Sequence, residues 1–244
     1  MNKKVNFVCL KWGDKYPALY VNRLYHMIES NLSIPFTLYC LTENSKGLLK
    51  DIEVLPLERS DLEGWWYKLL LFKKDFFGLK GELIYLDLDI VIVNNIDFLV
   101  EEKGDFIIIN NWSKNKMWNS SIMRFKIGKF TNIWESFLSN KDKVIKEYNG
   151  DQEWIYHCVP NANTWDKHKI VSYKKSLKSK AFPILQKIGL CNFILKFFPS
   201  LDTPLSKDAA IVIFHGKPDP DDVATKHYKC WKRASFIQKS WSDL

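Results

Sequence analysis

Glycine and proline are scarce, ten and nine among 244 residues, which excludes collagen-like repeats and linker composition. No apolar run reaches the roughly 18 residues of a spanning helix, so none is expected. The opening residues, Met-Asn-Lys-Lys-Val-Asn-Phe-Val-Cys-Leu, turn into an alternating strand with no apolar h-region or cleavage site, and no secretory signal is expected. Cysteine is sparse and scattered, at positions 9, 40, 158, 191 and 230, without a Cys-x-x-Cys pair. An odd, dispersed set in a chain of this length predicts reduced thiols and a cytoplasmic protein. Disorder is excluded by what is abundant: 46% of the residues are apolar and 15% aromatic, enough for a large core.

One stretch lacks acidic residues altogether. Positions 167–201 hold eight lysines (167, 169, 174, 175, 178, 180, 187 and 196), no arginine, no aspartate and no glutamate, which equals the whole net charge of +8. The surplus is therefore a local attachment surface and not a general property of the fold. Wound as a helix after Pro183, its second half places Ile184, Leu185, Ile188, Cys191, Leu195 and Phe198 on a broad apolar face. Gly189, Asn192 and Lys196 form a narrow polar stripe. A lysine-flanked helix of this kind predicts contact of 174–200 with an anionic membrane surface, peripheral on the inner face. The plainer alternative is a core helix with solvated lysines. The absence of arginine argues against groove readout and a nucleic-acid partner.

Strands are expected over 5–10, 36–41, 52–57, 83–86, 90–93, 106–109, 170–173 and 211–214. A helix follows Pro17, with Tyr20, Val21, Leu24, Met27 and Ile28 inward. A second covers 65–72, with Trp66, Leu69, Leu70 and Phe72 inward. A third is marked by Ile133, Trp134, Phe137 and Leu138, and a fourth opens at Gln152 with Asp151 as its N-cap. Alternating strands and helices in the first 110 residues predict an α/β fold with a mostly parallel sheet flanked by helices, as one domain with a basic amphipathic C-terminal excursion. Ligands of such sheets bind at the carboxyl ends of the strands.

The chemistry concentrates in Leu83-Ile-Tyr-Leu-Asp-Leu-Asp-Ile-Val-Ile-Val93. Asp87 and Asp89 follow four apolar strand residues and precede four more. Burying unpaired carboxylates is costly, so the pair calls for a counter-ion, and hard oxygen ligands suit Mg2+ or Mn2+. The alternative is a strand-end pair capping neighbouring amides. His215 ends a strand, where an imidazole nitrogen can complete a metal shell, and Lys217 stands two residues on, able to meet a phosphate. Asp151-Gln152-Glu153 is a helix cap or the edge of a polar pocket. Trp118-Asn-Ser-Ser-Ile-Met123 is a sugar-hydroxyl site or a turn.

Taken in order, Leu-Asp-Leu-Asp, Asn-Ser-Ser, Gly-Asp-Gln-Glu-Trp and Phe-His-Gly-Lys-Pro resemble a nucleotide-sugar glycosyltransferase of the type A (GT-A, Rossmann-like) fold, most closely the bacterial relatives of family 8. The resemblance covers roughly 3–160 and 208–218. It implies transfer of a sugar, with retained configuration, from a nucleotide-sugar, a UDP-sugar by preference, to a glycan or lipid-linked acceptor. It also implies Mn2+ or Mg2+ held by Asp87, Asp89 and His215. Asn119 and Ser120 would touch the donor sugar, and Asp151 and Gln152 would act beneath the anomeric carbon. Lys68 would meet the diphosphate or an acidic partner, and Lys217 would face the diphosphate. Leu10, Lys11, Trp12 and Tyr16 would hold the nucleoside, together with Leu88. On this reading 1–110 is a nucleotide-binding half, 111–173 and 206–218 a sugar and acceptor half, and 174–205 an insertion. The family has a longer gap between its His and Lys, Gly in place of Ser121, and Trp where Asp219 follows Pro218. Two rival readings remain: a haloacid dehalogenase-type phosphatase using Asp87 as nucleophile and Asp89 as acid/base, and a non-enzymatic basic lipid- or nucleic-acid-binding protein.

Overall fold

The structure is a computed structural model that describes residues 4–58, 61–112, 117–177 and 190–241. The chain divides into two compact units. The first comprises Met1–Tyr25, Leu32–Leu88 and Asp97–Trp165, and the second His26–Asn31, Asp89–Ile96 and Asp166–Leu244.

Unit 1 is built on a seven-stranded sheet of β1 (Val5–Lys11), β2 (Phe36–Thr42), β3 (Ile52–Pro56), β4 (Glu82–Leu86), β6 (Phe106–Asn110), β7 (Trp118–Lys126) and β8 (Asn163–Thr164), in the order β3-β2-β1-β4-β7-β6-β8. β1 pairs in parallel with β2 and with β4, β2 with β3, and β6 with β8. The central strands read as continuous apolar runs because both faces are covered; Phe7, Val8 and Cys9 of β1 are fully buried.

β7 runs antiparallel to both neighbours. Its first residues therefore lie at the edge where β4 ends. The β4 register runs from Glu82 opposite Lys126 to Leu86 opposite Ile122, and the Asp87 N–H continues it to the Ser121 carbonyl at 2.8 Å. Against β6 the register slips: Ile108 faces Met123, but Ile109 already faces Asn119. Such a slip bends a strand and re-aims its side chains.

The segment expected as a helix over 65–72 is a 3-10 helix, Gly64–Phe72. Trp66, Leu69, Leu70 and Phe72 point inward as expected, and so do Lys68 and Leu71. Three residues per turn align Trp66, Leu69 and Phe72 in one row, which a tight helix buries together. Phe72 stacks on Phe125 at 4.6 Å, and Phe125 on Phe106 at 5.5 Å. The helices α2 (Phe98–Glu101), α3 (Thr131–Ser139), α4 (Lys141–Glu147) and α5 (Asp151–Cys158) complete unit 1, and α1 (Ala18–Asn31) begins in unit 1 and ends in unit 2. Ile133, Trp134 and Phe137 of α3 are buried as expected, whereas Leu138 faces solvent.

Arg124 of β7 is buried, and its guanidinium donates to the carbonyls of Leu99 at 2.9 Å, Val100 at 2.7 Å, and Glu102. These are carbonyls that the end of the short helix α2 leaves without helical partners. Arg124→Met is expected to strand them and to lower stability by about 3 kcal/mol, read as a lower denaturation midpoint at constant m-value.

Unit 2 carries a three-stranded sheet of β5 (Ile90–Ile92), β10 (Ile211–Ile213) and β9 (Ile170–Ser172), all buried. β10 is antiparallel to β5 and parallel to β9. Its helices include α6 (Cys191–Phe197), α7 (Pro220–Ala224) and α8 (Phe236–Ser240). Two expectations are corrected here. Cys191 and Cys230, 39 residues apart, form a disulfide, so the cysteines are not all reduced thiols. Neither spacing nor composition signals that pair, because chain folding alone brings it together. Cys9, Cys40 and Cys158 are free, and burial pushes the Cys158 thiol up to about 11. The apolar face nominated on the 184–198 helix also differs. Cys191 and Leu195 are buried but Phe198 is exposed, and Ile184, Leu185, Ile188 and Gly189 lie outside the described residues. Among the described residues no helix is long and apolar enough to cross a membrane.

Candidate active site

The carboxyl end of β4, the first residues of β7, the 3-10 helix and the start of α5 bring four polar side chains together inside unit 1. Lys68 and Asp151 are about as buried as core leucines, 6% and 5% exposed. The Lys68 ammonium lies 3.1 Å from Asp87 Oδ1 and 3.4 Å from Asp151 Oδ2, and donates to Ser120 Oγ at 3.2 Å. The Ser120 hydroxyl donates to Asp151 Oδ2 at 2.6 Å. The Tyr85 hydroxyl donates to Asp87 Oδ1, also at 2.6 Å, and the Tyr85 ring carries the Lys68 ammonium 5.0 Å from its centroid.

One cation thus spans a buried carboxylate, Asp151, and a partly exposed one, Asp87, and the balance of forces can be read from Asp151. Burial pushes its carboxyl above the ordinary range; Lys68 and the Ser120 hydroxyl pull it down, and burial prevails. Burial, with the charge of Asp87, likewise holds the Tyr85 phenol protonated. Tyr85 precedes Asp87 by two positions, so along an extended strand both project from the same face. A tyrosine in the otherwise apolar run Leu83-Ile-Tyr-Leu was the signal that sequence reading passed over.

Asp151 corrects the expected cap. Gly150 is the N-cap of α5, and Asp151 is its first residue, its carboxylate turned to Ser120 and Lys68. A Cβ at Gly150 would come within 2.8 Å of the Trp65 indole nitrogen, so the exposed Trp65 fixes how closely α5 approaches. Gln152 is half-buried beside it.

The remaining expected donor-site residues in unit 1 are arranged less tightly. Asn119 is buried, and its side-chain oxygen accepts the Ser121 N–H at 3.1 Å. Leu10 and Leu88 are core side chains, and Lys11 is 7% exposed at the carboxyl end of β1. Trp12 reaches the surface beside Tyr67, 6.4 Å between centroids, while Tyr16 packs on Tyr20 at 4.8 Å. Trp66 and Trp118 are core residues.

In unit 2 the Asp89 carbonyl accepts the Phe214 N–H at 2.9 Å, which fixes Asp89 next to the strand that ends at His215. His215 Nε2 lies 2.7 Å from Ser172 Oγ. Burial pushes the imidazole pKa down, with Lys174 and Lys175 adding to the effect. Lys217 is engaged by acids of its own segment. Its ammonium pairs with Asp219 at 2.8 Å and Asp222 at 2.9 Å, the two acids of the capping box that opens α7. The cation against His215 is Lys174, which donates to the His215 carbonyl at 2.7 Å. Nothing in the sequence distinguished Lys174 from the other lysines of the basic stretch.

No family model matches the sequence, and no curated protein does. Solved structures do. The glycosyltransferase GlyE of Streptococcus pneumoniae TIGR4, in its apo form, aligns with a TM-score of 0.63 at 13% identity, over 98% of this chain and 60% of its own. The galactosyltransferase LgtC, in complex with donor and acceptor sugar analogs, aligns with a TM-score of 0.64 at 11% identity, over 98% of this chain and 96% of its own. The bifunctional glycosyltransferase WbbM gives 0.65 at 10% identity, over 100% and 50%. The chain therefore spans 60% of GlyE and half of WbbM. The mixed, mostly parallel sheet flanked by helices is the GT-A fold of these glycosyltransferases.

Proposed function

We propose that the protein is a nucleotide-sugar glycosyltransferase of the family 8 kind, taking a UDP-sugar as donor and a glycan or glycolipid as acceptor, with retention at the anomeric carbon. The observation that carries this reading is the Lys68–Asp87–Ser120–Asp151 cluster at the carboxyl end of β4, buried except for the half-buried Asp87, in a fold that transferases of sugars share. Loss of a nucleoside diphosphate develops negative charge on phosphate oxygens, and the Lys68 ammonium, preorganised in a low-dielectric site, answers that charge. The anomeric centre becomes oxocarbenium-like, and the Asp151 carboxylate or the Gln152 amide stabilises it from one face. Tyr85 and Ser120 hold the two carboxylates in place.

A divalent cation is a separate proposal, resting on the sequence: Asp87, Asp89 and His215 as ligands for Mn2+ or Mg2+. The structure gives it no finished site. Among the described residues no three acidic, histidine or cysteine groups are placed to hold an ion, and Asp87 already accepts from Tyr85 and Lys68. When bound, such an ion would act as a Lewis acid on the phosphates. The roles given to Lys68, Tyr85, Ser120 and Asp151 hold without it.

The test is a thermal-shift panel of nucleotide-sugars, nucleotides and phosphomonoesters, with Mn2+ or with EDTA. A UDP-sugar at 100 times its Kd adds about 2.7 kcal/mol of stability, a clear rise in Tm. No response to any nucleotide-sugar, with hydrolysis of a phosphomonoester, would overturn the transferase reading. EDTA is expected to abolish transfer and Mn2+ or Mg2+ to restore it; undiminished transfer in EDTA would remove the cation from the proposal.

A further inference from the structure

Helix α6 (Cys191–Phe197) has two faces of opposite use. Cys191 and Leu195 point inward, and Cys191 is bridged to Cys230. The other face carries Leu190, Phe193 and Phe197, which at a helical step of 100° fall in one line. They are 46%, 59% and 66% exposed, and Phe198 just beyond is 53% exposed. Single exposed apolar residues are ordinary, but four large ones within nine residues form a contiguous apolar ledge, with Phe193 and Phe197 in edge contact at 4.9 Å. The ledge is rigidly framed. The disulfide ties the helix start to Cys230, and His227 Nε2 meets the Phe198 carbonyl at 2.9 Å. That second segment presents the exposed Lys226 and Lys229, and the helix presents the exposed Lys196.

We propose that this ledge and its lysines form a docking surface for an anionic lipid bilayer. The charge pattern selects the occupant: the cations around the phenylalanines are lysines, with no acidic residue anywhere in 167–201. Lysine stems lie along an apolar face while their ammonium groups reach the headgroups, and phenylalanines enter the acyl boundary. Of the face that hydropathy periodicity nominated, Cys191 and Leu195 are buried and Phe198 belongs to the exposed ledge. The proposal is independent of the catalytic reading, because no residue of the Lys68 cluster takes part.

The experiment sediments the full chain with vesicles of phosphatidylcholine alone and of an equimolar phosphatidylcholine–phosphatidylglycerol mixture. Sedimentation with the anionic vesicles, weakened by salt, is expected. Phe193→Ser/Phe197→Ser is expected to cut the partition coefficient by at least about tenfold with an unchanged melting temperature, since both side chains leave water only on docking. Lys196→Gln/Lys229→Gln is expected to weaken anionic binding and to flatten its salt dependence. The proposal is overturned if the chain stays in the supernatant, if the double phenylalanine variant sediments as well as the parent, or if sedimentation velocity shows a dimer that this variant dissolves, which would assign the ledge to a second copy.

Discussion

Lys68→Met is expected to cost about 3 kcal/mol of folding stability, far more than an exposed lysine would, because it strips the cation from the buried Asp151 carboxylate and from the half-buried Asp87. Methionine fills the aliphatic path of the lysine, so the loss is electrostatic and not a cavity. The same variant is expected to slow sugar transfer by about 10² to 10³, the usual cost of removing one preorganised donor that faces developing charge. A double-mutant cycle separates the two effects. Adding Asp151→Asn to Lys68→Met relieves the buried negative charge, so stability should recover in part, while transfer should not. Denaturation of the two singles and the double gives the coupling energy. Additive losses, without recovery, would mean that Lys68 does not neutralise Asp151, and the cluster would lose its electrostatic meaning.

Asp151→Asn alone should behave in the opposite sense. The amide keeps the carboxylate's shape and can still accept from Ser120, so folding is expected to be unchanged or slightly firmer. Transfer, in contrast, is expected to fall by about 10² to 10⁴, the range for a positioned carboxyl in a transition state. Measured as kcat with a saturating UDP-sugar, this drop places Asp151 in the chemistry; full activity would remove it and leave Gln152 as the group on that face. An assay that follows the anomeric configuration of the product tests retention in the same experiment.

What the sequence made legible follows from what each signal depends on. β1 and β2 were expected within a residue of where they lie, because buried parallel strands must be apolar on both faces and that demand is written into consecutive residues. The inward set of 65–72 was legible for the same reason, but not its winding, since rows three residues apart and four apart overlap in so short a segment. An acidic partner for Lys68 was among the expectations, but which acids it meets was not legible. Asp151 stands 83 residues away from it, and the reversed strand β7 supplies the third member, Ser120. Local spacing carries no record of such pairings. The pairing of Lys217 was not legible, because Asp219 and Asp222 three residues apart look like surface charge until α7 is seen to begin there. The face of α6 was misassigned because phenylalanine is apolar in every scale, and only packing reveals which apolar residues are covered.

The slip between β6 and β7 bears on how this protein can be engineered. At Ser121 and Ile122 the strand keeps its pairing to Asp87 and Leu86, while Ser120 to Ile122 have no register partner in β6. A designer seeking thermal robustness would be drawn to trim this irregular patch into an ideal hairpin, and the trimmed sheet would gain hydrogen bonds. It would also withdraw Ser120 from Asp151, trading turnover for durability at one short stretch of backbone.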